Sequence, residues 1–244
     1  MNNEKKHNQP HSAKFSPSGG VRGGLMLSLC YLAPTEYYAL LAKADNVLLE
    51  NCEHYTKQTY RNRCRIVSAN GVLDLVIPVE KISRAKQLTR DVRIACFSDW
   101  QLQHWRSIEA SYNSSPFFEF YKDDFLPFYE KKWTFLQDFN LAIQDKVLEL
   151  IDIHPSIELT KTYQTNFDEN IVDFREQIHP KKQSNFVTLP NYYQVFEQKF
   201  GFIPNLSIID LLFNMGNEAV LVLNECRGES ACPPEKINFQ NNNI

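Results

Sequence analysis

Three arginines alternate along one short stretch, Arg61-Asn62-Arg63-Cys64-Arg65, and Lys57 precedes them at the same parity. A guanidinium is a planar fork of N–H donors that matches the oxygens of phosphate and carboxylate groups, so the chemistry such a row suggests is anion capture. On an extended strand, side chains of one parity project from one face, roughly 7 Å apart. Neighbouring charges at that spacing repel by about 0.6 kcal/mol in water and roughly 2.4 kcal/mol at an effective dielectric near 20. The row must therefore stay solvated or meet anions. Two readings are open: a solvated sheet face offset by Asp74 and Glu80, or a docking face for phosphate or carboxylate groups.

Two further candidates lie elsewhere. His104 shares a helical face with Trp100, Ser107, Ile108 and Ser111. A lone histidine on such a face is more often structural, yet its near-neutral pKa makes it the general-base candidate. Asp173 and Arg175 fall in a stretch without regular patterning, where an extended chain presents both on one side, able to position each other or to clamp a ligand. Asp173 is thus the second catalytic candidate, and Lys57, Arg61, Arg63, Arg65 and Arg175 are the candidate binding residues.

The elements that must place them follow from local signals. Asn70-Gly71 between two β-rich runs predicts a hairpin with a type I′ turn, because that turn needs positive φ at both central residues. The expected register opposes Ala69 to Val72, Val67 to Asp74, Arg65 to Val76 and Arg63 to Pro78. Cys64 and Ile66 then face the core with Leu73, Leu75 and Ile77. Leu25 to Leu32 reads as a buried strand and Val47-Leu48-Leu49 as a second. A helix between them, capped by Thr35, completes a parallel βαβ unit. Ligands of open α/β sheets lie off the carboxyl ends of strands, and the second strand delivers Glu50, Glu53 and His54 there, just before the arginines.

Further along, Val92 to Phe97 reads as a strand and Ser98 as the cap of a helix running to Tyr112. Phe117 to Tyr129 is densely aromatic and reads as core. A long helix is expected from about Glu130, and patterning fades from Thr160 to Pro190. Tyr192 to Phe200 reads as a helix closed by Gly201, and Ser207 as the N-cap of another. The class is α/β: an N-terminal βαβ unit with a mixed sheet including the Asn-Gly hairpin, and a mainly helical C-terminal half packed on it. The expected divisions are a disordered leader or misplaced start over 1–24, a single domain over 25–228 (sheet-rich over 25–97, helix-rich over 98–228), and a frayed tail over 229–244.

The totals constrain function. The chain has 244 residues and a net charge of −3, yet Lys57 to Arg93 holds nine Lys and Arg against three acids. A basic segment in an acidic protein points to a localised anionic ligand rather than to a nucleic-acid-coating surface. The aromatic residues do not interleave with the basic ones, so base stacking ranks last. Six cysteines include no Cys-x-x-Cys pair, which argues against zinc and fits a cytoplasmic location. There is no Walker loop, no Gly-x-Ser-x-Gly, no His-Glu-x-x-His and no Asp-x-Asp, so neither metal nor cofactor is expected. No apolar run is long enough to span a membrane.

Several blocks together resemble a known family. Leu32-Ala33-Pro34-Thr35-Glu36-Tyr37-Tyr38, Tyr55-Thr56-Lys57-Gln58-Thr59-Tyr60-Arg61-Asn62-Arg63, Trp100 with His104, Ile108 and Tyr112, and the stretch from Tyr192-Tyr193-Gln194 to Phe213-Asn214 are similar to the WbqC-like proteins. The resemblance implies a bacterial protein acting around O-antigen or other surface polysaccharide assembly, with amino-acyl (glycine) transfer as the suggested activity. On the matching positions, Tyr37, Asn62 and Tyr193 join the candidate binding residues. Two hypotheses follow. One is a cytoplasmic transferase that binds a nucleotide-linked or phosphorylated sugar through the basic ribbon. The other is a non-catalytic module that docks on a biosynthetic enzyme or carrier through the same face.

Overall fold

The apolar run that opens the chain's core is a strand, but it starts and stops four residues earlier than its hydrophobicity suggests. In the computed structural model, which describes residues 21–81, 87–96, 99–165, 167, 170–183 and 187–228, strand β1 spans Val21–Ser28 and helix α1 spans Thr35–Leu41. Strand β2, Ala44–Glu50, lies parallel to β1, with Leu25 opposite Val47 and Ser28 opposite Glu50. The βαβ unit is thus in place. The expected leader and tail fall mainly outside the described residues. Thr35 does not cap α1; its hydroxyl donates to the Leu206 carbonyl at 3.0 Å and ties the helix start to a distant segment.

Strands β3 (Arg63–Ser68) and β4 (Gly71–Val76) form the hairpin, a two-stranded sheet of its own. Its last pair is Ser68 with Gly71, and Arg65 lies opposite Asp74. The expected type I′ turn is therefore replaced. Gly71 takes φ +103°, while Ala69 and Asn70 are not among the residues with positive φ. The loop is the two residues Ala69-Asn70, the ladder runs on from Ser68–Gly71 without a register shift, and the positive φ is moved to the first residue of β4. The Ser68 hydroxyl donates to the Gly71 carbonyl and accepts from the Asn70 amide, closing the loop. The register differs from expectation by two residues. Since side chains alternate with period two, the faces are unchanged.

The helical half begins with α2 (Trp100–Tyr112), α3 (Phe118–Glu130) and α4 (Leu136–Leu150). Ser98, the expected cap of α2, lies outside the described residues. The start of α4 is delayed to Leu136 because residues 134–136 pair with 92–94 through Ile94 N–H to Thr134 O and Leu136 N–H to Val92 O. Those pairings are isolated bridges, so no regular strand forms at 92–96. Phe139 of α4 touches Tyr31, Trp100, Phe128, Tyr129 and Trp133, with ring centroids 5.4–6.4 Å apart.

Two short strands follow where patterning fades, β5 (Ser156–Leu159) and β6 (Ile171–Asp173). Both join the main sheet, whose order is β5-β2-β1-β6 with every pairing parallel. After β7 (Val187–Thr188) come α5 (Glu197–Phe200), α6 (Ile208–Met215), α7 (Ala219–Glu225) and β8 (Arg227–Gly228), which pairs with β7. The helix expected from Tyr192 shrinks to α5, because Tyr192 and Gln194 are drawn into hydrogen bonds with Asp210. Gly201 does end it, at φ +72°. Ser207 stands at the N-cap of α6, but its hydroxyl donates to the Leu32 carbonyl rather than capping.

Candidate functional site

The strand order gives the candidate site its place. The sheet grows from β1 to β2 to β5 on one side, then returns to add β6 on the other side of β1. Growth therefore reverses between β1 and β6, and the crevice outside the carboxyl ends at such a point is where open α/β sheets bind ligands. Here those ends deliver Ser28, Glu50 and Asp173, and the loops beyond them deliver Glu53 and Arg175.

Two arginine assemblies fill this edge. Arg61 donates through Nε to Glu53 Oε1 and through Nη2 to Glu53 Oε2, both at 2.6 Å, and Nη2 also reaches the Ser28 hydroxyl at 2.9 Å. Ser28 Oγ in turn donates to Glu53 at 2.9 Å. Among the described residues no acceptor is bonded to Arg61 Nη1, and Glu176, a largely exposed carboxylate, approaches Nη2 at 3.5 Å. Arg175 is saturated. Its Nε and Nη2 grip Asp173 at 3.0 and 2.6 Å, Nη1 donates to Glu50 at 2.6 Å, and Nη2 also meets the Gln164 carbonyl. Its guanidinium lies over the rings of Tyr163 and Phe167, 4.7 and 5.0 Å from their centroids. Thr160 closes the ring by donating to Glu50 at 2.7 Å. Burial opposes the charge of both arginines, and hydrogen bonds to their carboxylates outweigh it, so both pKa values are raised.

The evenly spaced basic row does not survive as drawn from sequence. Arg61 turns inward and is only 3% exposed. Arg63 and Arg65 stay half-exposed and share Asp74 at 3.0 and 3.2 Å. Lys57 is exposed. Asn62 is buried, donating to the Ile77 carbonyl across the hairpin. Tyr37 is buried in α1 with its hydroxyl on Gln144, and Tyr193 is half-exposed at the opposite end of the chain order. Of the proposed binding residues, the fold brings Arg61 and Arg175 to the sheet edge, with Arg63 and Arg65 beside them.

His104 does not sit at this edge as an open base. Its Nδ1 lies 3.1 Å from the Tyr31 hydroxyl, which also meets the Tyr129 hydroxyl at 2.8 Å, and its ring packs on Tyr31 and Trp100. Desolvation lowers its pKa to about 4, against a backbone hydrogen bond to Val76. The expected general base is a neutral core histidine. Asp173, the other catalytic candidate, spends both oxygens on Arg175. Cys30, near Arg61, is no nucleophile either, since burial pushes its thiol up to about 12.

Sequence reasoning missed the partners. Glu53 is eight residues before Arg61 and Glu50 is 125 before Arg175, so only the sheet unites the second pair. Tyr55, half-buried, lies within electrostatic reach of Arg61 and Arg63, while burial pushes its phenol up to about 12. The loop of residues 174–182 folds back on the same edge. Arg65 donates to the Pro180 carbonyl, and Lys181 reaches Gln58 at 2.6 Å. Gln58 has φ +61° and Leu32, just beyond β1, has φ +39°. Left-handed backbone at such residues costs on the order of 1–3 kcal/mol each and clusters at functional sites.

A cleft of about 400 Å³ opens at the amino ends of β2 and β5, lined by Leu41, Asp45, Ile153, His154, Val220 and Asn224 among others. It lies at the wrong edge for a ligand of an open sheet, and Asp45 and His154 within it are exposed. Among the described residues no group of three His, Cys, Asp or Glu side chains is placed to hold a metal, and no helix is long and apolar enough to cross a membrane.

The model of the WbqC-like protein family matches residues 30–187, which include Arg61, Glu53, Glu50, Asp173 and Arg175. An uncharacterized protein of Mycobacterium tuberculosis, Rv1507c, is 26% identical over 221 residues, covering 81% of this chain and 95% of its own. No solved structure matches.

Proposed function

The chain belongs to the WbqC-like protein family, and from that premise we propose that it is a transferase of bacterial surface polysaccharide assembly. In this reading Arg61 holds the anionic part of a nucleotide-linked or phosphorylated sugar, and the transferred group is an amino-acyl unit such as glycine. The observation that carries the ligand site is the arrangement of Arg61. Taking a guanidinium and a carboxylate out of water costs several kcal/mol per ion, and well-packed apolar residues serve stability as well or better. Here such a pair is built at the sheet edge where open α/β sheets take their ligands, with Glu53 and Ser28 fixing Nε and Nη2. A guanidinium held rigid on one side is preorganised to donate on the other. Arg175, locked between Asp173 and Glu50, anchors the loop that closes the edge.

The test is a thermal-shift panel of nucleotide-linked sugars, free nucleotides and sugar phosphates, comparing the wild type with R61K. Lysine keeps a positive charge opposite Glu53 but has no second nitrogen to offer. Stabilisation of the wild type by a nucleotide-linked or phosphorylated sugar, lost in R61K, is the expected result. Equal shifts in both proteins, or none in the wild type, contradict the reading.

One observation favours a second reading, docking on a biosynthetic enzyme. Val72 and Val76 are 49% and 39% exposed on the same hairpin face as Arg63 and Arg65. If that face docks a partner, V72D/V76D abolishes co-purification with polysaccharide-assembly enzymes while ligand-induced shifts persist.

A further inference from the structure

The loop of residues 174–182 is pinned at three points to the segment 58–65 that carries the arginines. Lys181 Nζ donates to Gln58 Oε1 at 2.6 Å, Arg65 Nη2 donates to the Pro180 carbonyl at 3.4 Å, and Glu176 approaches Arg61 at 3.5 Å. Lys182 turns back to the carbonyl of Glu176. Around Arg61 this gathers five cations (Arg61, Arg63, Arg65, Lys181, Lys182) against three carboxylates (Glu53, Asp74, Glu176), and with the neighbouring Arg175, Glu50 and Asp173 the edge keeps a surplus of one positive charge. Exposed Lys57 adds to that surplus.

The histidine of this loop has a defined role in hydrogen bonding. His179 Nδ1 accepts the Lys181 backbone N–H at 3.1 Å, so in the neutral ring the proton sits on Nε2. Burial lowers its pKa, and Lys182, Lys181 and Arg61 act in the same direction against Glu176. At neutral pH the ring is therefore a donor through Nε2, and the Glu176 contact at 3.5 Å sets its loop against the Arg61 guanidinium.

The donor geometry discriminates between anions. A free guanidinium fork grips carboxylate and phosphate alike through two parallel N–H bonds, but a carboxylate's two oxygens lie in one plane whereas a phosphate's are spread in three dimensions. Arg61 has spent Nε and Nη2 on Glu53, so it offers a single nitrogen. Single donors of different types, arriving from separate elements, suit an anion whose oxygens are spread in three dimensions. We infer that His179, through Nε2–H, and Lys181, through its ammonium, complete with Arg61 a subsite for a phosphate group, whose arrival displaces the Glu176 carboxylate. This rests on the reading of Arg61 as the anchor for the anionic part of a phosphorylated sugar, and it adds the second half of the site and the group that competes for it.

The experiment is calorimetric titration of the full chain with inorganic pyrophosphate, and with citrate as a carboxylate comparator, for the wild type, R61K, H179A, K181A and E176Q. His179 is half-exposed and Lys181 and Glu176 are exposed, and thermal melts establish that each variant is folded. Wild-type binding of pyrophosphate, weakened about tenfold by H179A and by K181A and tightened severalfold by E176Q, is the expected result, each step being the worth of one charged hydrogen bond. The ¹⁵N signal of His179 Nε2 should move on adding pyrophosphate, a response that a merely structural histidine does not give. Absence of wild-type binding, or binding unchanged in R61K, overturns the Arg61 reading and this inference with it. Arg61-dependent binding that ignores H179A, K181A and E176Q overturns this inference alone. Citrate bound as tightly as pyrophosphate overturns the assignment to phosphate.

Discussion

Two regions of this molecule bury polar groups, and they do so by opposite means. At the carboxyl edge of the parallel sheet, Arg61 with Glu53 and Arg175 with Glu50 and Asp173 keep full charges out of water by pairing them. In the helical half, His104 is neutral among Tyr31, Tyr129 and Trp100, and Asp210 is wrapped by the hydroxyls of Tyr112 and Tyr192 and the amide of Gln194 at 2.7–3.0 Å. The core cluster joins helices to the hairpin and leaves little exposed. The edge cluster is assembled from strand ends and loops and has a rim: Glu176, Lys181 and Lys57. Buried polarity alone therefore does not single out a candidate site; ionised groups with an open side do.

The sharpest way to break this contrast is to remove half of a buried pair. E53A or R61A should cost about 3–5 kcal/mol in a denaturant titration, because the remaining charge is left buried and alone. The double variant E53L/R61M should recover most of that loss and still fail to bind anions. A double variant that is as unstable as the single ones would make the pair a stability device after all.

The core cluster predicts two opposed pH dependences. His104 has its pKa lowered to about 4 by burial. The unfolded chain therefore binds more protons than the native one between about 4 and 6.5, and this group's stability is lost as pH falls through that window. Asp210 has its pKa raised to about 6 by burial, against hydrogen bonds from Tyr192, Tyr112 and Gln194. There the native state holds the extra proton, so stability is lost as pH rises from about 4 to 6. Each contribution is on the order of 3 kcal/mol, and in the wild type they largely cancel. Denaturant midpoints against pH should rise toward neutrality in D210N and fall in H104Q; parallel profiles would contradict both assignments.

Smaller effects complete the series. Y31F removes the hydroxyl shared by His104 and Tyr129 and should lower stability by about 1–3 kcal/mol through the unpaired groups it leaves. D74A breaks the two partly exposed pairs of Arg63 and Arg65 and should cost only about 0–1 kcal/mol in the same titration. If D74A proved as damaging as E53A, the distinction between edge and surface pairs would fail.

The sequence carried the site unevenly, for physical reasons. Alternation put Arg63 and Arg65 on the outer face of the hairpin, and a register error of two residues left that result intact. Arg61 escaped the rule because regular pairing stops at Arg63, so its side chain follows the loop inward to Glu53. The βαβ unit was legible from continuous apolar runs and a helix of the right length between them. Strands β5 and β6 were not, being four and three residues long, too short for any period to show. They set the sheet order and so the location of the crevice, which is why the pairing of Arg175 with Glu50 had no sequence signal. His104 misled because helical spacing gives a face but not what covers it.

The most direct measurement is a crystal structure of the protein soaked with a nucleotide-linked sugar. The account predicts phosphate oxygens within hydrogen-bonding distance of Arg61 Nη1, at the crevice between β1 and β6, with Glu53 and Ser28 still holding the inner nitrogens. Ligand density in the cleft beside Ile153 instead, with Arg61 untouched, would contradict it.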